Sequence, residues 1–385
     1  MKRERLMMPL LVILTTAALV LLPLDRSGGD ISGTFDYVVQ FGITFLIFAI
    51  MVIGLNIQLG YAGISNFGVA GFFLLGSYIA GLFVVPPATN QFVTYVGGFA
   101  KLFNPLPGLY TDQWLPFVAG TIAAGAACGI LGGLLALLTP RLRFDYLAIA
   151  TIGVAELLRA VATVQVGLVN GDRGLIGIPS PMQKLIPTDM YQIFLVVLLA
   201  VVLAVVYVAA ERAVRSPWGR VLRALREDET ATAAAGKNVF AFKTQAFILG
   251  AVIMGVAASF FTYYRRGLTP TDFEPLQGTF LFWVMLIVGG AGSNKGAIVG
   301  AYVVWGLWIA SLQLTSYPMP EEISSRIPFV RFVLLGVFFV ATLLVRPQGL
   351  VPEDRRVSRW VQRTVGRGGP LSTPAEPDTP DAVRP

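Results

Sequence analysis

The chain has 385 residues, of which 55% are hydrophobic and only 13% charged, with a mean hydropathy of +0.70. Soluble domains carry about 25% charged residues, so an ordinary soluble enzyme is excluded. The absence of histidine removes a Ser-His-Asp triad, a His-liganded metal and a His proton relay. The single Cys128 rules out an intrachain disulfide, and the net charge of +7 comes from 29 Lys and Arg scattered between apolar blocks, with no patch suited to nucleic acid.

Uninterrupted apolar blocks predict an all-α, polytopic transmembrane helical bundle of about ten spans, with about eight to ten allowed. In chain order they fall near Leu6–Leu24, Tyr37–Leu59, Ile64–Val85, Leu115–Leu138, Phe144–Val166, Tyr191–Ala210, Thr244–Tyr264, Gly278–Gly292, Gly296–Leu312 and Phe329–Val345. The first exceeds the ~7–15-residue core of a signal peptide and lacks a small-residue cleavage pattern at Leu24-Asp25-Arg26-Ser27, so an uncleaved span is expected. No Asp, Glu, Lys or Arg occurs from Tyr37 to Ala100, leaving room for two spans of about 20 residues. Gly125, Gly129 and Gly133, each four apart, are assigned to close helix contact. The eighth and ninth blocks are short, as tilted, broken or re-entrant segments would be.

Three regions follow: an N-terminal span and external linker over 1–36, a transmembrane domain over 37–350, and a cytoplasmic, largely disordered tail over 351–385, rich in Pro, Gly, Ser and Thr from Gly366 onward. The Lys/Arg asymmetry places both termini in the cytoplasm. That side then holds 20 of the 29 basic residues, including seven from Arg212 to Lys243 and seven from Arg346 onward, against seven outside; Arg159 and Arg331 fall inside or at the edge of spans.

The cytoplasmic loop 211–243 is the most informative segment. Ser216-Pro217 starts a helix, on which Trp218, Val221, Leu222 and Leu225 form an apolar stripe while Arg220, Arg223 and Arg226 occupy another face. Glu227-Asp228-Glu229 puts negative charge at the start of a second, Ala-rich helix, Thr230–Ala235, that stops at Gly236. Such a small-sided helix suits close approach by another protein; the other reading is a loop anchored in lipid headgroups.

The run from Ser216 to Glu229, with Ala235-Gly236-Lys237-Asn238-Val239 and Lys243, closely resembles the cytoplasmic loop of Liv-type branched-chain amino acid ABC importer permeases. Further stretches agree: Gly54-Leu55-Asn56-Ile57-Gln58-Leu59-Gly60-Tyr61-Ala62-Gly63, Tyr146–Thr151 with Ala155-Glu156-Leu157-Leu158-Arg159, Asn170-Gly171 with Gly174-Leu175, Gly289–Ser293, and Arg346-Pro347-Gln348-Gly349-Leu350. The sequence departs in its tail, in its longer external segment Pro86–Trp114, and at Asn66-Phe67-Gly68-Val69, where many relatives carry a histidine after the glycine.

The resemblance implies a permease subunit of a binding-protein-dependent importer, multi-pass in the plasma membrane (the inner membrane of a bacterium). It implies a second permease of similar type, two ABC ATPase subunits that hold ATP and Mg, and an extracytoplasmic solute-binding protein, with branched-chain or related small amino acids as substrate. This chain itself is expected to bind no cofactor or metal and to be no enzyme. Its nearest P-loop candidate, Gly236-Lys237, has Ala231 for the first glycine and Asn238 for the Ser/Thr.

The ATPase-coupling residues are then Ser216, Pro217, Gly219, Arg223, Arg226, Glu227, Asp228, Glu229, Gly236 and Asn238. Asn56, Gln58, Ser65 and Asn66, among glycines at 54, 60, 63 and 68, together with Thr151, are candidates for the translocation path, the first four standing equally well in a plain cytoplasmic turn. Glu156 and Arg159, three apart on one helix, are either a polar feature of the path or a pair that fixes packing. Other readings are a urea or short-chain amide importer and an ion-coupled secondary transporter; the few ionisable groups in the spans weigh against the second.

Overall fold

The computed structural model describes residues 2–26, 31–85, 114–138, 144–183, 185–313 and 327–353. The chain divides into a unit over 1–352 and another over 353–385, of which Glu353 alone is described. The predicted tail beyond it, the external segment 86–113, and Arg141 and Arg143 lie outside the described residues.

The first unit is helical: α1 (Lys2–Arg26), α2 (Ile31–Leu55), α3 (Val69–Val84), α4 (Trp114–Ala136), α5 (Phe144–Val164), α6 (Val166–Val169), α7 (Thr188–Arg215), α8 (Pro217–Glu227), α9 (Glu229–Ala234), α10 (Val239–Arg265), α11 (Leu281–Gly289), α12 (Asn294–Gln313) and α13 (Ile327–Val345). One antiparallel ribbon pairs β1 (Leu175–Ile176) with β2 (Gly267–Leu268). Among the described residues, six helices are long and apolar enough to cross a membrane, within α2, α4, α5, α7, α10 and α12, and four shorter apolar helices lie at Met8–Leu21, Val69–Val84, Gly278–Gly289 and Phe329–Val345. Every predicted apolar block is met by one of them. The protein is an all-α polytopic membrane bundle.

Burial grades the bundle. The apolar windows of α10 and α2 are 78% and 67% buried, those of α5 and α7 only 22%. Helix α10 packs against α2, α3 and α4 at the centre, while α5 and α7 turn Ile149, Leu157, Val201 and Val205 outward. In water such apolar faces would be liabilities; in a bilayer they are what acyl chains contact.

Small residues permit the central contacts. A Cβ on Gly54 would lie 2.7 Å from the Gly250 carbonyl oxygen of α10, and one on Gly250 would lie 2.6 Å from that of Gly54. On α4, Gly129 and Gly132 press against Val252 and Ala251, whereas Gly125 and Gly133 have room for ordinary contacts.

Two predicted spans differ from the structure. The third block is helical only from Val69; residues 62–68 are an irregular, largely buried connection. Before it, α2 runs into a π-turn, Asn56–Tyr61, at the glycine-flanked stretch. The ninth block is full-length, because α12 begins at Asn294, two residues before the predicted start. The eighth is short, as predicted: a π-turn, Leu276–Phe280, leads into the nine residues of α11.

Overpacking a tight helix contact costs about 1–3 kcal/mol. Gly54→Val is therefore expected to lower the unfolding free energy in detergent by that amount. Gly133→Ala, whose added methyl meets Ile248 at 3.5 Å, serves as the near-neutral control.

Candidate functional site

Between α7 and α10 the chain folds α8 and α9 as predicted, with ends set by local chemistry. Ser216 precedes Pro217, the first residue of α8, and its hydroxyl donates back to the Ala213 carbonyl at 2.6 Å. Gly219 lets α8 fold back on α7: a Cβ there would lie 2.1 Å from the Val214 carbonyl oxygen. Asp228 caps α9, its carboxylate accepting from the Thr230 and Ala231 amides at 2.9 and 3.0 Å and from the Thr230 hydroxyl at 2.6 Å. At the other end, Gly236 takes φ +76°, and the Lys237 and Gly236 amides donate to the Thr232 and Ala233 carbonyls. This is the αL stop that a glycine supplies without strain. Asn238 caps α10 by accepting from the Ala241 amide at 3.1 Å.

The stripe on α8 is buried at Leu222 and Leu225 and half-buried at Trp218 and Val221. Trp218 also donates to Gln245 of α10 at 2.9 Å. The basic face divides in a way its periodicity did not foretell. Arg220 is exposed, but Arg223 donates to the Val214 carbonyl of α7 at 2.8 Å, and Arg226 donates to the Gly60 carbonyl in the π-turn. Glu227, Asp228, Glu229, Ala231, Ala233, Ala234, Gly236 and Asn238 are exposed, and Glu229 pairs with Lys243. The loop thus turns a small-sided, acidic-ended helix outward and anchors itself inward through two arginines.

The Gly60 carbonyl is the edge of a buried amide cluster. Asn56, Gln58, Ser65 and Asn66 are fully buried, and Thr151 nearly so. Asn66 donates to Gln58 Oε1 at 2.8 Å, and Gln58 donates to the Phe247 carbonyl at 2.8 Å. Asn56 accepts from the Gly292 amide at 2.9 Å and donates to Asn294 at 3.0 Å; Asn294 in turn donates to Glu211 of α7 at 3.0 Å. The buried start of α3 is satisfied as well: the amides of Gly68, Phe67 and Ala70 donate to Asn66, Thr151 and Thr279. Gly63, at φ +68°, lies against Arg226, where a Cβ would come within 2.9 Å of its side chain. The turn at Gly60–Gly63 is therefore buried beneath α8.

Glu156 and Arg159 do not join this cluster. They pair with each other on α5 at 2.8 Å, each about one-third exposed. Asn294, Glu211 and Trp283 were missed by sequence reasoning. Trp283 donates to the Asn66 carbonyl at 2.9 Å and stacks on Phe67 with ring centroids 3.9 Å apart. The only signal for Asn294 was its place directly after the glycine-rich run Gly289–Ser293.

The family described as branched-chain amino acid transport system, permease component, matches residues 37–343. The chain belongs to this family. Among its relatives are the "Probable branched-chain amino acid transport permease protein LivM" of Methanocaldococcus jannaschii, 26% identical over 332 residues that cover 83% of this chain and 94% of that one. The high-affinity branched-chain amino acid transport system permease proteins LivM of Escherichia coli and Salmonella typhimurium are each 28% identical over 334 residues, covering 80% of this permease and 69% of theirs. No solved structure matches the chain. As a member of a family of transport permeases, this chain is a multi-pass membrane protein.

Two predictions follow from the site. Asn56→Ala and Asn294→Ala each leave a buried partner unpaired, at about 1–3 kcal/mol. Because they break one shared bond, the double variant should lose less than the sum of the two in detergent unfolding. The second concerns Asp228. Hydrogen bonds from Thr230 and Ala231 hold its carboxyl below the usual aspartate range. The cap should be complete above the unfolded value of about 4 and weaken as pH falls through the lower, folded one. Amide exchange at Thr230 and Ala231, corrected for intrinsic rate, should be flat above that value and rise below it, with no such step in Asp228→Asn.

Proposed function

We propose that this chain is the membrane-spanning permease subunit of a binding-protein-dependent ABC importer. It carries branched-chain or related small amino acids into the cytoplasm, using ATP that separate subunits hydrolyse. The observation that carries the reading is the element α8–α9. It presents a small-sided helix outward, and its inward arginine grips the carbonyl of a turn from which the buried polar cluster begins.

The partners on this reading are a second permease of similar type, two ABC ATPase subunits holding ATP and Mg, and an extracytoplasmic solute-binding protein. The chain itself binds no nucleotide. Helix α9, with Ala231, Ala233 and Ala234 outward, enters a groove of the ATPase, while Glu227 to Glu229 and Asn238 border the contact. Closure of the ATPase pair moves α8. Because Arg226 holds Gly60 and Arg223 holds the end of α7, that movement reaches both the π-turn and α7. The cluster of Asn56, Gln58, Ser65, Asn66 and Thr151 closes the path in this conformation and opens it when α8 shifts, with Glu156 and Arg159 a polar feature at its side. Selection of solute rests mainly with the binding protein.

The test is purification of the tagged chain from its native membranes in mild detergent. ATPase subunits should accompany the wild type and be lost from Ala234→Trp, a substitution on an exposed helical position that avoids the positive φ of Gly236. Arg226→Ala should retain the ATPase subunits yet lose ATP-driven uptake in vesicles. A wild type that purifies alone and transports solute on an ion gradient would overturn the reading in favour of a secondary transporter.

A further inference from the structure

Helices α12 and α13 line a half-open cavity of about 350 Å³, bordered by Leu307, Trp308, Ser311, Arg331, Leu335 and Phe338 among others. Among the described residues, Arg331 is the one charged side chain in this lining, with no carboxylate beside it. Its guanidinium carbon lies 3.9 Å from the centre of the Trp308 ring, and its Nε is buried without a hydrogen-bond partner. The other polar side chain of the lining, Ser311, donates to the Trp308 carbonyl of its own helix at 2.7 Å. The stacking on Trp308 offsets part of the charge but supplies no anion.

The cavity has a polarity along the helix axes. Trp308 lies five residues before the end of α12 at Gln313, and Arg331 four residues after the start of α13 at Ile327. At 1.5 Å per residue, both sit within about 6–8 Å of the helix ends, and Phe338 lies about 10 Å deeper along α13 than Arg331. Tryptophan and arginine at that level belong to the headgroup region of a bilayer, and the lining below it is hydrocarbon-like. Beside the cavity, α13 exposes Val330, Val333 and Val337 by 47–63%, a surface for acyl chains, and Leu334 joins that surface to the lining.

We propose that this cavity holds an anionic phospholipid. Its phosphate pairs with Arg331, and the upper part of one acyl chain lies along Trp308, Leu335 and Phe338. A free amino acid fits less well, because its ammonium would find no carboxylate among the described residues of the lining. The proposal requires only that the chain sits in a bilayer and does not depend on the importer reading.

The experiment uses the full chain in phosphatidylcholine nanodiscs containing a minor fraction of either brominated phosphatidylglycerol or brominated phosphatidylcholine. The contribution of Trp308 is the difference in fluorescence quenching between the wild type and Trp308→Phe. Preferential quenching by the anionic lipid of about fivefold is expected, the scale of one cation's attraction to an anionic headgroup. Arg331→Lys should keep the preference, and Arg331→Gln should abolish it. Equal quenching by the two lipids, or a preference that survives Arg331→Gln, overturns the proposal. So does reversal of the quenching by millimolar leucine or inorganic phosphate, which would make the cavity a site for a soluble ion.

Discussion

A backbone amide or carbonyl inside a bilayer finds no water, so a break in a membrane helix survives only where protein groups replace the lost partners. The break between α2 and α3 is organised around this constraint. Residues 62–68 are not helical; the amides of Ala62, Gly63 and Ile64 still donate to carbonyls of the π-turn, and other groups freed around the break are met by Asn66, Thr151, Thr279 and Arg226. Asn56 and Gln58 extend the same bonding to α12 and α10. The polar side chains in this region are fully buried yet hydrogen-bonded, the condition under which burial of an amide is tolerated.

That solution also joins the membrane interior to the cytoplasmic loop. Arg226 serves as donor to a carbonyl that the π-turn leaves available, and Arg223 does the same at the C-terminal turn of α7. A guanidinium suits both places because it offers several donors at fixed angles and carries positive charge toward the negative end of a helix. Helix α8 is thereby held from two sides, with Asn56, Asn294 and Glu211 completing a path back from the π-turn to α7.

The close helix contacts have a different origin. In lipid there is no general hydrophobic gain from bringing helices together, so contact depends on packing and on hydrogen bonds. Glycines 54 and 250 bring α2 and α10 to backbone contact, and this places Gln58 within reach of the Phe247 carbonyl. Packing by small residues and satisfaction of the buried amides are thus one feature seen from two sides.

The sequence by itself determined the bundle and its local punctuation. Long apolar blocks without charge, a proline at the start of α8, an acidic cap at Asp228 and a glycine stop at Gly236 act through nearest neighbours along the chain, so they are legible residue by residue. The pattern of α8 also predicted its apolar stripe, of which Leu222 and Leu225 are buried and Trp218 and Val221 half-buried. It placed Arg223 and Arg226 on another face, yet their long side chains reach back to carbonyls that spacing does not reveal. Only the tertiary structure decided which turn is buried and which polar groups meet. Asn56 and Asn294 are 238 residues apart, and the need for their bond arises only once α2, α10 and α12 have excluded both water and lipid from the space between them.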